Sequence, residues 1–318
     1  MRSRLAAEIA EQPRVLASVL GEQAHALAAV REAVHQHSRV LLLGIGSSRH
    51  VAGYGVACFE ALTSTAVSLL PAPGGGVALP AMSADDLLVV VSQSGSTPAL
   101  QPVVETALAA GAAVVSLTNA HGSPLERLAH LALHASAGEE SVVPATKSVT
   151  SSMLLLRALA APVATAALVD VVRGLVVDQP SAVRFLADVA LPQLVVASGF
   201  AAEHVADEVA LKLAEVTAHL AVSETVVDYL HGPAAVPAHV LGLLDPDDPN
   251  TSAVLGLPSV LTVGTSLAFD LPLASTGDPS LDAIARLVAG QCLALAWAGA
   301  RRIDPDDPRG LKKVTLSL

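Results

Sequence analysis

At 318 residues with a formal charge of −11, the chain has room for two subdomains or one large α/β domain and lacks the basic footprint of a nucleic-acid binder. Hydrophobic residues make up 52% and aromatics only 2%, so the core must be built from Ala, Val and Leu. Of the uncharged runs, 249–269 is broken by Pro, Gly and hydroxyls and 158–169 contains Pro162 and is too short, so no membrane span is expected.

The opening segment, residue 4 to about 37, reads as a helix carrying Leu5, Ile9, Leu16, Val19, Leu20, Leu27 and Val30, interrupted early by Pro13. Its early charges, Arg2, Arg4, Glu8 and Glu11, leave no apolar core for a signal peptide. Residues 40–44, VLLLG, read as a buried strand running into Gly44, Gly46, Ser47 and Ser48, with a helix through Phe59 and a strand at 66–70. The next strand, 87–91, is β-branched and short, and leads into Ser92, Gln93, Ser94, Gly95, Ser96 and Thr97. Pro98 then stands at a first helical position, ahead of Val103, Val104, Ala107 and Leu108, and another strand spans 113–117. Residues 147 to about 177 read as a hydrophobic helix packed between two halves.

The rhythm repeats. A strand at 194–197 ends in Ser198 and Gly199, and a helix follows from about 201 to 219. Strands at 239–244 and 260–263 come next, then a helix from 281 to about 302, the turn DPDDPRG and the tail LKKVTLSL. This pattern predicts an α/β protein of two tandem, doubly wound, flavodoxin-like subdomains, each a parallel sheet flanked by helices, with function at the carboxyl ends of the strands. A soft linker near 178–181 separates an N-terminal part, 1–178, from a C-terminal part, 179–318. Cys58 and Cys292 read as core residues in a reducing cytoplasm.

Four groups of residues carry candidate chemistry. Four hydroxyls in the six residues 92–97, with a glycine at a strand-to-helix junction, suit a phosphate: backbone amides point at the anion and hydroxyls donate without adding charge. The GIGSS loop can converge on the same phosphate. It is not a dinucleotide fingerprint, because GIGSSR has only the first two glycines and no acidic residue about twenty positions on. Glu208, Lys212 and Glu215 share one face of a mostly apolar helix, which faces them to water, a ligand or a partner; a carboxylate in a cleft beside a lysine is a candidate general base. His231 is held in a constrained His-Gly-Pro turn at the start of a short helix. Lys312 and Lys313 lie on a chain end that can fold back into a cleft, where desolvation favours the neutral amine that forms a Schiff base. Glu139, Glu140 and Lys147 precede or open the inter-half helix and line the same cleft.

Taken together, GIGSS, SQSGST, GEESVVPATKSVTSS, DEVALKLAE, YLHGP and DPDDPRGLKKVT resemble the sugar isomerase (SIS) domain family in its double form, over nearly the whole chain. The likeness is to the isomerase half of glucosamine-fructose-6-phosphate aminotransferase and to stand-alone SIS-type deaminases, isomerases and deglycases. It implies that Ser47, Ser48, Ser92, Gln93, Ser94 and Thr97 bind the sugar phosphate, with Glu208 and Lys212 lining the site. It implies further that Glu215 moves a proton between the first two sugar carbons and that Lys313 meets the carbonyl. His231 would assist ring opening from the neighbouring subunit of a homodimer. Departures include Ser96 where the aminotransferase usually has Glu, SGF where relatives carry an arginine, and little room for a helix in 245–258. No glutaminase domain with its nucleophilic cysteine precedes the first half, so the expected chemistry is deamination, deglycation or isomerisation. The expectation is a cytoplasmic enzyme without cofactor, metal, nucleic-acid or membrane partner, converting glucosamine 6-phosphate to fructose 6-phosphate and ammonia. The rivals are a fructosamine-phosphate deglycase, another ketose/aldose-phosphate isomerase, and a non-catalytic sugar-phosphate sensor.

Overall fold

Alternating apolar runs and helices fold into two five-stranded parallel sheets. The computed structural model describes residues 3–73, 78–178, 180–308 and Lys313. Contacts group 15–140, Lys147–Ala164 and Lys313 into a first-sheet unit, and 3–14, Ser141–Thr146 and 165–308 into a second-sheet unit. This grouping is interleaved along the chain, whereas composition suggested one cut between 178 and 179.

The first sheet contains β1 (Arg39–Leu43), β2 (Ala66–Leu69), β3 (Asp86–Ser92), β4 (Ala113–Thr118) and β5 (Leu131–His134). Its order is β2-β1-β3-β4-β5 with every pairing parallel. All seven residues of β3 are buried, as expected for a central strand covered on both faces. Leu41, Leu43, Leu88 and Val90 pack with Val103, Val104 and Ala107 of the helix Gln101–Ala109 on one side of it. The start of β3 is pinned by Asp86, which accepts from Arg39 Nε at 2.7 Å, Arg39 Nη2 at 3.0 Å and Ser83 N at 2.7 Å. In this unit two described elements went unanticipated, β5 and the five-residue helix Pro124–Leu128.

The second sheet contains β6 (Leu194–Ala197), β7 (Val222–Thr225), β8 (Val240–Leu244), β9 (Val260–Gly264) and β10 (Leu271–Pro272), ordered β10-β9-β8-β6-β7 and parallel throughout. Read from the β7 edge, with β6 counted as the first strand, this is the order of the first sheet. With so few aromatics, close packing comes from small residues. A Cβ on Gly290 would lie 2.5 Å from Val209 Cγ2, so glycine is what lets helix Pro279–Ala300 press against helix Ala202–Thr217. Pro279–Ala300 is long and apolar enough to cross a membrane, a segment the uncharged-run argument passed over, and it is mostly buried inside its unit.

Three expectations are corrected. The opening helix is three, Arg4–Ala10, Gln12–Glu22 and Ala24–Gln36, with Pro13 at the second position of the second, where its missing N–H costs nothing. The helix from Lys147 stops at Ala160, because Pro162 lacks a donor and disfavours helical geometry in the residue before it; Ala166–Arg173 resumes in the other unit. Residues 252–255 form one short helix in the stretch where little room was expected.

Candidate functional site

In a sheet of order 2-1-3-4-5, the loops after the first and third strands part at the point where the winding reverses, leaving a crevice at the strand carboxyl ends. The two glycine–serine loops occupy that position, GIGSS after β1 and SQSGST after β3. Ser47 and Ser48 are the first two residues of the helix Ser47–Leu62, whose cap position, Gly46, brings no side chain of its own. A helix of that length aims its leading amides and the positive end of its dipole at the crevice.

The SQSGST loop is tied by its own hydroxyls. Ser92 Oγ lies 3.1 Å from Thr97 Oγ1 and accepts from Gly95 N at 3.2 Å, while Ser94 Oγ accepts from Ser96 N at 3.2 Å. Ser92 is therefore the buried frame of the loop, and Gln93, Ser94 and Thr97, only partly buried, are its open donors. Gly95 has φ +59°, and a Cβ there would collide with Ser123 Oγ and stand 2.5 Å from Ser123 Cβ. The segment behind closes the loop's back: Asn119 N donates to Gln93 O at 3.0 Å and Leu125 N to Gly95 O at 3.1 Å. Ser123 was missed from sequence, although Ser-Pro-Leu-Glu at 123–126 is a helix-start signature and Ser123 Oγ does accept from Glu126 N.

Within the same unit, Glu140 is buried and caps the helix Lys147–Ala160, accepting from Ser148 Oγ at 2.6 Å and Ser148 N at 3.3 Å. Lys313 Nζ lies 3.5 Å from Glu140 Oε2, with 23% of its side chain exposed. The chain end therefore brings Lys313 to the segment that opens that helix, and Lys147 there is itself buried. Lys312 lies outside the described residues.

The second-sheet unit holds Glu208, Lys212 and Glu215 on helix Ala202–Thr217. They do not form a solvated stripe. Glu208 and Lys212 are each 1% exposed, and the Glu215 side chain 15%. Lys212 Nζ is 3.4 Å from Glu208 Oε1 and pairs more closely with Glu215. One cation lies between two carboxylates, with Glu215 the member that reaches the surface. His231 stands on another element: it caps the end of helix Val226–Leu230, donates its backbone N–H to Asp228 O at 3.0 Å, and is exposed. The one-turn helix of the His-Gly-Pro turn begins after His231, at Pro233.

The winding of the second sheet reverses between β6 and β8, and there the crevice is filled by the chain's own groups. Ser198 Oγ lies 2.7 Å from Thr251 Oγ1, and Gly199 N donates to Asp248 Oδ2 at 3.0 Å. Arg286 Nη1 is 3.8 Å from Asp245 Oδ2.

A profile of the SIS domain family matches residues 33–162, the span from the end of helix Ala24–Gln36 through β1–β5 to the helix Lys147–Ala160. This part of the chain is a SIS domain. Similarity extends beyond it. Glutamine–fructose-6-phosphate aminotransferase [isomerizing] of Aeropyrum pernix is 28% identical over 345 residues, covering 96% of this chain and 56% of that protein. The chain spans about half the length, or less, of the curated relatives it matches. Among solved structures, a Silicibacter pomeroyi protein provisionally assigned as a phosphosugar isomerase matches with TM-score 0.75 and 25% identity, over 96% of this chain and 100% of that one. Glucosamine-6-phosphate deaminase of Thermotoga maritima shares the fold, with TM-score 0.78 and 21% identity, over 99% of this chain and 100% of that one. The SIS domain thus contains the crevice with both hydroxyl-bearing loops, and the doubled architecture is the one these proteins share.

Proposed function

We propose that this SIS protein is a phosphosugar aldose–ketose isomerase that deaminates glucosamine 6-phosphate to fructose 6-phosphate and ammonia. The observation that carries the reading is the buried Glu208–Lys212–Glu215 cluster with Glu215 at its open edge: a binder gains nothing from a carboxylate kept beside a shared lysine. Hydroxyls and amides at the β1/β3 crevice supply the anchor for a phosphate without surplus positive charge. Names and folds of the relatives, which include a deaminase and an isomerising aminotransferase, support the substrate class.

In this reading the phosphate is fixed by Ser47, Ser48, Gln93, Ser94 and Thr97, with Ser92 as frame. Glu215 removes the proton from carbon 2 of the open-chain amino aldose and returns it at carbon 1. The aldehyde becomes an alcohol and the amine-bearing carbon a ketimine, which one water hydrolyses to the ketone and ammonia. Lys212 holds Glu215 in place and Glu208 holds Lys212. His231, donated across a homodimer, exchanges the proton of ring opening, a role its exposure suits. Lys313 meets the carbonyl by leaving its ion pair with Glu140.

The test is incubation with glucosamine 6-phosphate, scoring ammonia and fructose 6-phosphate. Glu215→Gln is expected to abolish exchange of the carbon-2 proton with solvent while phosphosugar affinity changes little. Intact phosphosugar binding without turnover by the native chain refutes the enzymatic reading. Native exchange rates in Glu215→Gln remove that residue from the base role.

A further inference from the structure

Away from the loops that face the β1/β3 crevice, two clusters among the described residues have metal-ligand chemistry: Glu203, His204 and Asp207 on helix Ala202–Thr217, and a group beside β4 and β5 that supplies two histidines and has no part in the reaction above. His121 lies in the turn after β4, Glu126 on the helix Pro124–Leu128, and His134 at the end of β5, paired in register with Thr118 of β4. One ligand atom from each lies within 4.8 Å of the other two. His134 Nε2 is 3.3 Å from Glu126 Oε1, which matches the edge of about 3.3–3.4 Å that a tetrahedral site with bonds of about 2.0–2.1 Å requires. The two imidazole rings stand 3.8 Å apart between centroids, so a single carboxylate is set against two rings. The carboxylate is already oriented, because Glu126 Oε2 accepts from Gly122 N at 2.5 Å and leaves Oε1 toward the rings.

We propose that His121, Glu126 and His134 form a binding site for a divalent transition cation of the Zn²⁺ class, with water at the open fourth position. Two imidazoles and a carboxylate are a borderline-soft N/O set, suited to Zn²⁺ rather than to Mg²⁺ or Ca²⁺, which take oxygen ligands. The cation would staple edge strand β5 to the turn after β4. That turn carries Ser123, which backs Gly95, and Leu125, whose amide holds Gly95 O. Occupancy is therefore felt at the SQSGST loop without the metal touching substrate.

The experiment uses tag-free full chain stripped with a chelator and titrated with Co²⁺. One equivalent per chain is expected, with micromolar or tighter affinity, the intense visible bands of four-coordinate Co²⁺, and displacement by Zn²⁺. His121→Ala, at an exposed position where folding is not at stake, and Glu126→Gln are each expected to weaken binding at least 100-fold. Hydrogen exchange at the Leu125 amide is expected to slow on saturation with Zn²⁺ in the native chain and to be indifferent to Zn²⁺ in His121→Ala. No saturable binding below 100 µM refutes the site, as does native affinity in both variants, which would assign the metal to others of the eleven histidines.

Discussion

Replacing Gly95 by Ala tests whether the SQSGST loop and the turn behind it are one mechanical unit. Two costs add. A side chain in the left-handed region costs about 1–2 kcal/mol. The new methyl must also displace Ser123, whose Cβ would stand 2.5 Å away, and overpacking of this kind costs about 1–3 kcal/mol. The sum is about 2–5 kcal/mol, which accelerates exchange of the β3 amides through unfolding by roughly 30- to 4,000-fold at about 1.4 kcal/mol per tenfold. The contact is separable from the conformational cost. Ser123→Gly removes the obstructing side chain, and glycine replaces serine at an N-cap for only a few tenths of a kcal/mol. Gly95→Ala/Ser123→Gly should therefore recover about 1–3 kcal/mol of the loss and keep the left-handed penalty, with Thr118 Cγ2 at 3.1 Å as the remaining neighbour. Hydrogen exchange read by mass spectrometry over Asp86–Ser92 suits the measurement better than Trp fluorescence, because the lone Trp297 lies in the other unit. Gly95→Ala within threefold of native exchange, or no recovery in the double variant, refutes the reasoning.

Lys212→Met leaves Glu208 and Glu215 without the cation they share and should destabilise the second-sheet unit by about 3–5 kcal/mol, measured by urea unfolding followed through Trp297; a loss under 1 kcal/mol contradicts the burial argument. The hydrogen bond from Arg39, helped by Ser83, holds the Asp86 carboxyl below the usual carboxylate range. A depressed carboxyl stabilises the fold above its unfolded-state pKa and loses that contribution as pH falls through the folded value, so thermal stability of the first-sheet unit should drop below about pH 4 and drop less steeply in Asp86→Asn. An unchanged slope counts against the pair. Burial pushes the Cys292 thiol from 9.0 up to about 12, so at pH 8 its labelling by a disulfide reagent should be about 1,000-fold slower than that of an unperturbed thiol. Labelling at the free-thiol rate contradicts it. Ser94→Ala should weaken fructose 6-phosphate binding about tenfold or more by isothermal titration with stability unchanged, whereas Ser92→Ala should cost about 1–3 kcal/mol of stability because it strips the loop of its frame.

The strands were legible where they were continuous and apolar. The runs 87–91, 194–197 and 260–263 announce themselves because a parallel sheet covered on both faces demands unbroken hydrophobic residues. Edge strands carry no such demand. β5 reads Leu-Ala-Leu-His and β7 Val-Ser-Glu-Thr, half exposed, and neither pattern separates from loop. The loops of the candidate site were legible for the opposite reason: a glycine amid hydroxyls at a strand end has a specific backbone requirement, and φ +59° at Gly95 is that requirement. Burial of Glu208 and Lys212 was not legible, since spacing of three and four gives a shared face and says nothing of what covers it. Nor could sequence show that Ser123, almost thirty positions past Gly95, would pack on it.

The two sheets make the same turn of topology and spend it differently. Where the winding reverses between β1 and β3, the chain offers serines, a glutamine and the start of a 16-residue helix. Where it reverses between β6 and β8, the equivalent amide is already engaged: Gly199 N donates to the Asp248 carboxylate, and Ser198 is spent on Thr251 and on the Asp245 amide. A carboxylate at a helix start occupies the place of an anion. Behind it, burial pushes the Arg286 guanidinium down while Asp245, Asp282 and Asp248 push back. An anion approaching this second crevice meets carboxylates already in place and an arginine sunk in the core. Duplicated topology does not therefore imply duplicated binding. We read the first crevice as the place of a phosphate; the second already holds a carboxylate of its own.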